Sequence, residues 1–349
     1  MQAIKTIWNL LRQSGLFLWE QAAFTVPIVG LALVALWFFL WKKLPCFAWH
    51  RRWMPVICAV YLAGASYIYW YHHRPLPDSI SEEIFPGVHY TRGVFAEPAN
   101  LVVHLVRINL RQPGMEFVVT PGDNSKGREM IARTTSEFAE EFDVQVAING
   151  GYFYPWYSNE PLYYYPHSGD PVDVNGVAVS RGVPYSDCEL QFNSLNIYSN
   201  NIATIGKGDT NAFNVISGLW LLVKRGVVNP RLYYAPRHDE LHPRTAVGIT
   251  ADQSEMIWIV IDGRQPNYSE GATLAQVAEI LVRHGAYHAL TFDGGGSSTL
   301  VMRNDGKTTV MNTPIRGRIP PGLERPVGNH LGLRVRELAG PPDRPKAGG

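Results

Sequence analysis

The segment ALTFDGGGSSTLVM, residues 289–302, places an acid at the end of an apolar run and follows it with three glycines and two serines. The run ALTF predicts a strand that ends at Asp293, and TLVM predicts the next strand. The loop between them has two interpretations. It forms a tight turn, or the amides of residues 294–296 and the hydroxyls of Ser297 and Ser298 form a nest that binds an anion.

The glycine-rich loop departs from two familiar motifs. No lysine follows the glycines, as one does in a P-loop, and glycine does not frame Ser297 on both sides, as it does in a nucleophile elbow. A serine nucleophile paired with His242 or His330 stays open as a minor alternative. Taken alone, the loop does not decide between a turn and an anion site.

Outward from this loop, short apolar or alternating runs bounded by Gly, Pro, Asn and Asp continue through residues 88–338. Runs such as NLVVHLVRINL (100–110) and IWIVID (257–262) predict strands. The predicted fold class is therefore α+β, a mixed β-sheet domain with a few helices, preceded by two transmembrane helices.

Two helices are predicted within this domain. The first covers residues 127–142, with 137–142 as its clearest part. The second begins at Thr273, which forms a capping box with Gln276, and it stops near Gly285. Each helix is followed by a predicted strand that ends in a polar residue and a glycine.

That pattern of strand, polar residue and glycine occurs at Asn149, Asp262 and Asp293. If the three strands are neighbours, their ends meet in the crevice where open sheets bind ligands. Each Asn-Gly or Asp-Gly pair is also a common turn signal. Arg244 opens another predicted strand and suits bidentate binding of phosphate or carboxylate; the alternative is a surface arginine paired with an acid.

Two uncharged apolar runs in the N-terminal region predict membrane-spanning helices. Cleavage of the first as a signal peptide is the alternative, although two lysines follow it. The basic loop between the runs predicts a cytoplasmic position, which puts the large domain on the periplasmic or extracellular side of a bacterial inner membrane. The predicted parts are an interfacial segment (1–23), two spans (24–41 and 53–71), their cytoplasmic loop (42–52), a linker (72–87), the domain (88–338) and a disordered tail (339–349).

Composition narrows the ligand classes. The chain has 31 basic and 30 acidic residues, and no basic stripe interleaved with aromatics, so nucleic acid is not an expected partner. A divalent cation held by Asp262 or Asp293 stays open, but no cluster of ligands requires one. No cofactor is called for.

Five motifs in order resemble the phosphodiester glycosidase family over roughly residues 88–336. They are AINGGYF (147–153), PRTAVGIT (243–250), VIDGRQ (260–265), DGGGSSTLV (293–301) and ERPVGNHLGL (324–333). The resemblance implies hydrolysis of the bond between a sugar's anomeric carbon and a phosphodiester. A leaving phosphate monoester, with a second pKa of about 6, needs little protonation, so anion stabilisation can replace much of the general acid.

The resemblance also implies roles for the residues of these motifs. Asp293 and Asp262 become the base or nucleophile and its partner, and Arg244 binds the phosphate. The implied substrate-binding residues are Asn149, Gly150, Gly151, Tyr152, Gly294, Gly295, Gly296, Ser297, Ser298, Arg325 and Asn329.

The implied substrate is a phosphate-linked sugar or polysaccharide of the cell envelope or of an exopolysaccharide, with the lipid bilayer as a second partner. The alternative from another class is a membrane-tethered polysaccharide-binding or assembly module without turnover. The aromatic-rich insert at 152–170 suits sugar stacking in either case.

Overall fold

In the computed structural model the described residues are 28–30, 32, 34–36, 48–96, 99–159, 163–187, 192–234, 240–316 and 321–336. The chain divides into two compact units. One is Met1–Leu76 with Pro266–Tyr268, and the other is Pro77–Gln265 with Ser269–Gly349.

The first unit contains helix α1, Ala48–His73, which includes the second predicted span. Among the described residues, no helix has the length and apolar character needed to cross a membrane. The mainly aliphatic part of α1 is residues 56–65, about 15 Å long at 1.5 Å per residue, half of a bilayer core of about 30 Å. Tyrosines, a tryptophan and two histidines follow it.

The prediction of two transmembrane helices is therefore wrong, and so is the predicted localisation as an integral membrane protein. The described residues give no support for the bilayer as a partner. Most of the first predicted span, 24–41, lies outside the described residues, as do 1–23 and 339–349. The predicted linker, 72–87, contains strand residues 80–85.

The second unit is built mainly from strands. Strand makes up 42% of the structure and helix 19%, so the α+β prediction is wrong and the fold is mostly β-sheet. Its largest sheet has eight strands, and each neighbouring pair is antiparallel. From edge to edge the sheet contains β1 (Ile80–Phe85), β2 (Val88–Phe95), β3 (Leu101–Asn109), β19 (Glu255–Ile261), β18 (Arg244–Ile249), β20 (His288–Thr291), β16 (Leu221–Lys224) and β17 (Val227–Val228).

The described part of the unit also contains two five-stranded sheets and two small sheets. The first five-stranded sheet contains β22 (Lys307–Val310), β21 (Leu300–Asn304), β6 (Val146–Asn149), β23 (His330–Val335) and β4 (Met115–Val119). The second contains β12 (Val183–Asp187), β11 (Val177–Ser180), β15 (Asn214–Gly218), β13 (Asn193–Ile197) and β14 (Ala203–Gly206). The small sheets contain β5 (Met130–Ile131), β10 (Pro171–Val174) and β7 (Phe153–Tyr154), and the hairpin of β8 (Tyr157–Asn159) and β9 (Tyr163–Tyr165).

Both faces of the central strands of the large sheet are buried. Because side chains alternate along a strand, Trp258 and Val260 of β19 join a core shared with the five-stranded sheets. Ile257 and Ile259 face the opposite way and pack with the apolar side chains of helix α3, Leu274–Arg283. A strand buried on both faces reads as a continuous apolar run, as IWIVI does.

The two short helices have capping boxes. The predicted box of Thr273 and Gln276 is confirmed, and α3 ends just before Gly285, whose φ is +93°. Helix α2, Thr135–Glu141, starts later than predicted because Thr134 caps it. The residues before it form a turn and β5 rather than a helix.

The order of the central strands brings three predicted site residues to one edge of the large sheet. β18 lies between β19 and β20 and runs antiparallel to both. The first residue of β18, Arg244, pairs with the last residue of β19, Ile261. Arg244 therefore lies between the strand ends that lead into Asp262 and Asp293.

Candidate active site

Asp293 follows β20 and is partly buried. Its Oδ2 accepts a hydrogen bond of 2.7 Å from the Ser297 hydroxyl, and its amide donates to the Gly150 carbonyl at 3.0 Å. Burial raises the pKa of Asp293 above its ordinary value, although the Ser297 hydroxyl, Arg325, the Gly294 amide and Arg264 all act to lower it. The site thus combines a carboxyl group that is costly to ionise with cations that favour ionisation.

The three glycines after Asp293 leave room for groups that approach closely. A Cβ atom on Gly295 would lie 3.2 Å from Nη1 of Arg264, and one on Gly296 would lie 2.7 Å from Nη2 of Arg325. Gly295 also has a φ of +61°, which disfavours other residues. A Cβ on Gly294 would lie 2.8 Å from the Pro243 carbonyl and 3.8 Å from Cδ of Arg244.

The glycine loop is therefore surrounded by three guanidinium-bearing residues, Arg244, Arg264 and Arg325. We call these residues the arginine cluster. Each of them has one of the three glycines as a close neighbour, and no side chain larger than hydrogen fits at Gly296 without moving a guanidinium.

The amides of the glycine loop are partly engaged within the protein. The Gly295 amide donates to Pro243, and the amides of Ser297 and Ser298 donate to carbonyls of the loop itself, at Gly294 and Gly295. The segment Gly295–Ser297 is a single 3₁₀ turn. An amide already bonded within the protein cannot also bind an anion well, so the Gly295 amide is not available to a ligand.

Arg244 is anchored at the mouth of β18. Its Nε donates to the Ala272 carbonyl at 2.9 Å and its Nη2 to the Glu240 carbonyl at 2.8 Å. Two of its five N–H donors are thus occupied by these carbonyls. Burial lowers the pKa of Arg244 from its ordinary value, and Tyr152 and Glu240 act to raise it.

A histidine connects two members of the arginine cluster. Nε of Arg264 donates to Nδ1 of His242 at 3.0 Å, and Nε2 of His242 lies 2.7 Å from a Glu240 carboxylate oxygen. Burial and the charges of Arg264 and Arg244 lower the pKa of His242 to about 4, against the effect of Glu240. His242 is therefore neutral near pH 7 and orients Arg264 as an acceptor.

Tyr152 lies near both charges of the site. Burial raises the pKa of its phenol, the negative charge of Asp293 raises it further, and Arg244 lowers it. A phenol placed between a carboxylate and a guanidinium is suited to donate to a ligand oxygen. The structure therefore places Tyr152 near Asp293 and Arg244.

Asn149 has a different environment from the predicted one, because it is fully buried. Its amide nitrogen donates to the carbonyls of Asp293 (2.7 Å) and Gly150 (3.3 Å). Its oxygen accepts from the Thr245 hydroxyl (2.7 Å) and the Thr299 amide (3.1 Å). These four bonds use the whole hydrogen-bonding capacity of the side chain, which fixes the backbone around Asp293.

The predicted substrate contacts at Gly150, Gly151 and Asn329 are also internal. The Gly150 amide donates to the Asn329 carbonyl at 2.8 Å, and the Gly151 amide donates to the Asn329 side chain at 2.9 Å. All three residues are buried. They join β6 to the segment before β23 and support Tyr152 rather than line an open surface.

Asp262 is only 1% exposed and lies among protein groups. Its Oδ1 accepts from the side chain of Asn312 (3.0 Å) and the amide of Thr313 (2.9 Å). Its Oδ2 lies 3.5 Å from Nε2 of His104, whose Nδ1 is 2.8 Å from the Tyr90 hydroxyl. The structure thus places Asp262 in a buried polar network.

A serine–histidine pair is not formed at this site. Ser297 is fully buried and donates to Asp293. His242 is bonded to Arg264 and Glu240, and buried His330 lies 3.0 Å from the Thr120 hydroxyl and stacks on Phe138.

Within the described ranges, no group of three or more His, Cys, Asp or Glu side chains is placed to hold a metal ion. The oxygens of Asp262 face N–H donors and His104. Asp293 faces a hydroxyl group and guanidinium groups. We therefore propose no divalent cation at either carboxylate.

Sequence reasoning missed the role of Arg264 in VIDGRQ, and it missed the contacts of Trp156 and Arg316. The Cζ atom of Arg325 lies 5.6 Å from the centroid of the Trp156 ring, and the Arg316 carbonyl accepts from Arg325 at 3.3 Å. Arg264 has a φ of +56°, unusual outside glycine. Arg264 follows Asp262 by two residues, but its side chain lies beside a loop about 30 residues later in the sequence. No pattern in the local sequence signals that contact.

The sequence profile of the phosphodiester glycosidases matches residues 142–334, more than half of the chain. The catalytic domain of zebrafish N-acetylglucosamine-1-phosphodiester α-N-acetylglucosaminidase has a similar fold, with a TM-score of 0.54 and 20% identity over 76% of this chain and 86% of that one. A hypothetical protein from Synechocystis gives a TM-score of 0.54 and 14% identity over 74% of this chain. No curated protein matches the chain.

This chain covers 64% of the Synechocystis protein, which is less than two thirds of its length. The fold and the sequence match place the chain among glycosidase-type hydrolases. Within that class, it belongs to the phosphodiester glycosidase family, and the resemblance seen in the five motifs is confirmed.

Proposed function

We propose that this chain hydrolyses the bond between the anomeric carbon of a sugar and the oxygen of a phosphodiester. The observation that carries the proposal is the arginine cluster around Asp293: a carboxyl group of raised pKa stands beside guanidinium groups that suit a phosphate. The name of the zebrafish enzyme, which acts on an N-acetylglucosamine-1-phosphodiester, supports the substrate class.

In the proposed reaction the arginine cluster binds the phosphate and Asp293 faces the anomeric carbon. The bond between that carbon and the phosphate oxygen breaks, and the electron pair leaves with a phosphate monoester. The monoester is stable as an anion, so its departure requires charge stabilisation more than a strong general acid. The guanidinium groups supply that stabilisation.

Asp293 has one of two roles in this scheme. It attacks the anomeric carbon as a nucleophile, and water then hydrolyses the resulting glycosyl ester, or it acts as a general base that takes a proton from a water attacking this carbon directly. Both roles need the ionised form, which the Ser297 hydroxyl, Arg325 and Arg264 favour. Tyr152 donates to a phosphate or sugar oxygen from its position near Asp293 and Arg244.

The buried residues act at a distance from the substrate. We propose that Asn149, Gly150, Gly151 and Asn329 position the Asp293 backbone and Tyr152. We propose that Asp262, through Asn312, holds the Ser298 carbonyl at the end of the glycine loop, because the Asn312 amide donates to both groups at 3.0 Å. In this scheme Ser297 orients Asp293 rather than the phosphate.

The substrate class is a sugar-1-phosphodiester, which includes the phosphate-linked sugars of polysaccharides such as exopolysaccharides. To test the function, full-length protein is incubated with the methyl phosphodiester of N-acetylglucosamine, and ³¹P NMR follows methyl phosphate release. Equal amounts of free sugar and methyl phosphate are expected. Arg244→Ala should lose most of this activity while its circular dichroism spectrum stays unchanged.

Arg111→Ala is the matched control. The Arg111 side chain is 68% exposed, and its ion pair with Asp252 is long, at 3.5 Å. This variant should keep full activity. If the wild-type protein binds sugar phosphodiesters of several sugars but releases no phosphate monoester from any of them, the chain is a binding module and the proposal is wrong.

A further inference from the structure

The short segment that carries Arg325 is tied to the chain around helix α2 on both sides of the arginine. Before Arg325, the Glu324 carboxylate accepts from the Ser136 amide at 2.9 Å and from the Ser136 hydroxyl. After it, Val327 exchanges two backbone hydrogen bonds with Arg133, of 2.7 and 3.1 Å. Arg325 and the proline that follows it lie between these two ties.

The two ties differ in what they require of the sequence. The tie at Val327 is made by backbone groups, which almost any residue supplies. The tie at Glu324 is made by a side chain, and its two carboxylate oxygens each accept from Ser136. Pro326 restricts the residue before it to extended backbone. The direction of the Arg325 side chain is therefore set by two ties, of which only the first depends on a particular side chain.

Glu324 is partly buried although it carries a charge. Burial raises the pKa of its carboxyl, while the hydroxyl and the amide of Ser136 act to lower it. A buried carboxylate is tolerated when its oxygens accept hydrogen bonds. The pair of bonds to one residue satisfies both oxygens and fixes the orientation of Glu324 as well as its distance.

The position of the Arg325 guanidinium is narrowly defined. A Cβ on Gly296 would lie 2.7 Å from its Nη2. Its Cζ lies 5.6 Å from the centroid of the Trp156 ring, and it donates to the Arg316 carbonyl at a long 3.3 Å. A displacement of about 1 Å in a catalytic group can lower a rate by as much as 10²-fold.

We propose that Glu324 is a positioning residue for the phosphodiester reaction: by holding Ser136 it fixes the segment 324–327 and so places the Arg325 guanidinium beside the glycine loop. This inference rests on the proposed function. Glu324 acts through Arg325, and its carboxylate is occupied by Ser136 rather than by substrate.

The alternative is that Glu324 only stabilises α2, and the helix itself offers a matched control. The Glu137 carboxylate accepts from the Thr134 amide and from the Ser168 hydroxyl, each at 2.7 Å. Glu137 thus supports the same end of α2 without being next to a residue of the arginine cluster. If Glu324 served the helix alone, loss of either carboxylate would have similar consequences.

The test compares Glu324→Ala with Glu137→Ala in full-length protein, with the methyl phosphodiester of N-acetylglucosamine as substrate. Glu324→Ala should lower kcat/KM about tenfold and weaken inhibition by inorganic phosphate, and Glu137→Ala should leave both near their wild-type values. Ser136→Ala removes the hydroxyl partner and keeps the amide, so it should act in the same direction by a smaller factor.

A double-mutant cycle separates positioning of Arg325 from general support of the fold. In protein that already carries Arg325→Ala, Glu324→Ala should cause no further loss, because both changes remove the same contribution. An equal loss in the two backgrounds would reject the positioning role. Equal losses in Glu324→Ala and Glu137→Ala would reject it as well.

Crystal structures of the wild type and of Glu324→Ala keep this inference apart from the proposed function. An Arg325 guanidinium displaced from Gly296 and Trp156 would show that Glu324 anchors it, even if the wild type hydrolyses no phosphodiester, a result that rejects the function alone. A guanidinium that keeps its wild-type place would reject the positioning role. If Glu324→Ala does not fold, Ser136→Ala is judged by the same measurements.

Discussion

Asp262 follows β19 and Asp293 follows β20, the two strands that flank β18. Each has the same local sequence, an apolar strand, an aspartate and a glycine, yet their surroundings are opposite. Asp293 is partly buried and faces a hydroxyl and the arginine cluster. Asp262 is 1% exposed, and its oxygens face Asn312, the Thr313 amide and His104. An aspartate at a strand end is thus a candidate catalytic residue only when its oxygens face groups that can also bind a substrate.

The difference arises from the residues on the C-terminal side of each Asp-Gly pair. After Asp293 two further glycines let the guanidiniums of Arg264 and Arg325 approach the backbone. After Asp262 the chain continues with Gly263 and Arg264. The Arg264 side chain contacts His242 and the glycine loop rather than Asp262. One aspartate therefore gains cations, and the other is enclosed by hydrogen-bond donors.

The largest expected effect is that of Asp293→Asn. Loss of the carboxylate that faces the arginine cluster should lower kcat by about 10³-fold or more. Because the fold raises the pKa of this carboxyl, its ionised form costs stability above the ordinary pKa of an aspartate. Asp293→Asn should therefore unfold at the same temperature as the wild type or slightly above it, as calorimetry can show.

Asp305→Asn is the control for that change, because Asp305 lies in the turn between β21 and β22 with a φ of +50° that asparagine tolerates. It should match the wild type in both measurements. An active Asp293→Asn variant would remove Asp293 from the chemistry.

The arginine cluster gives the next largest effect. Arg264→Ala and Arg325→Ala should each lower kcat/KM by about 10²-fold, since each removes one charge that stabilises the leaving phosphate. Inorganic phosphate should inhibit both variants more weakly than the wild type. Unchanged inhibition by phosphate in both variants would show that the cluster does not hold the anion.

Gly296→Ala tests why the loop contains glycine. The new methyl group would lie 2.7 Å from Nη2 of Arg325, so the guanidinium must move and kcat/KM should fall about tenfold. Gly206→Ala is the matched control, because a Cβ there meets no atom within 4 Å. If both variants have wild-type kinetics, the close approach of Arg325 does not explain the glycine.

Asp262→Ala should act on stability more than on turnover. It leaves the Asn312 side chain and the Thr313 amide without their acceptor, which costs about 3 kcal/mol, or roughly a 10 °C lower Tm. Asp262→Asn keeps an acceptor oxygen and should lose less. Below its Tm, Asp262→Ala should keep kcat within a few-fold of the wild type, and a loss as large as that of Asp293→Asn would make the two carboxylates equal partners.

The smallest effect concerns pH. The ionised form of Asp293 is required, so kcat/KM should rise with pH through a pKa above the ordinary value of 3.8. Arg325 lowers that pKa, so Arg325→Gln should move the acid limb of the pH profile upward, by less than about one pH unit. A downward shift would contradict the proposed contact between the two charges.

Local sequence identified long apolar strands such as β3 and β19, because each of these reads as an apolar run bounded by turn residues. It also identified the Thr273 capping box, whose partners lie three residues apart. The predicted fold class was wrong because it treated two short helices, of 7 and 10 residues, as equal in importance to many strands. The membrane prediction was wrong because it relied on the length of the uncharged runs. It gave too little weight to the aromatic and polar residues of α1.

The site was predicted in part, for a physical reason. The residues that converge at the sheet edge, Arg244, Asp262 and Asp293, each carry a local signal. What each side chain faces depends on contacts such as that between Arg264 and Gly295, which lie far apart in the sequence. Sequence alone also cannot show that the Gly295 amide is already bonded, or that three arginines lie around the glycine loop.

The proposed mechanism requires that the bond between the anomeric carbon and oxygen breaks while the phosphate stays intact. Hydrolysis in ¹⁸O-labelled water, with the products analysed by mass spectrometry, tests this requirement directly. We predict that the label enters the sugar at its anomeric hydroxyl and is absent from the released phosphate monoester. Label in the phosphate would mean attack at phosphorus, and the chain would then act as a phosphodiesterase.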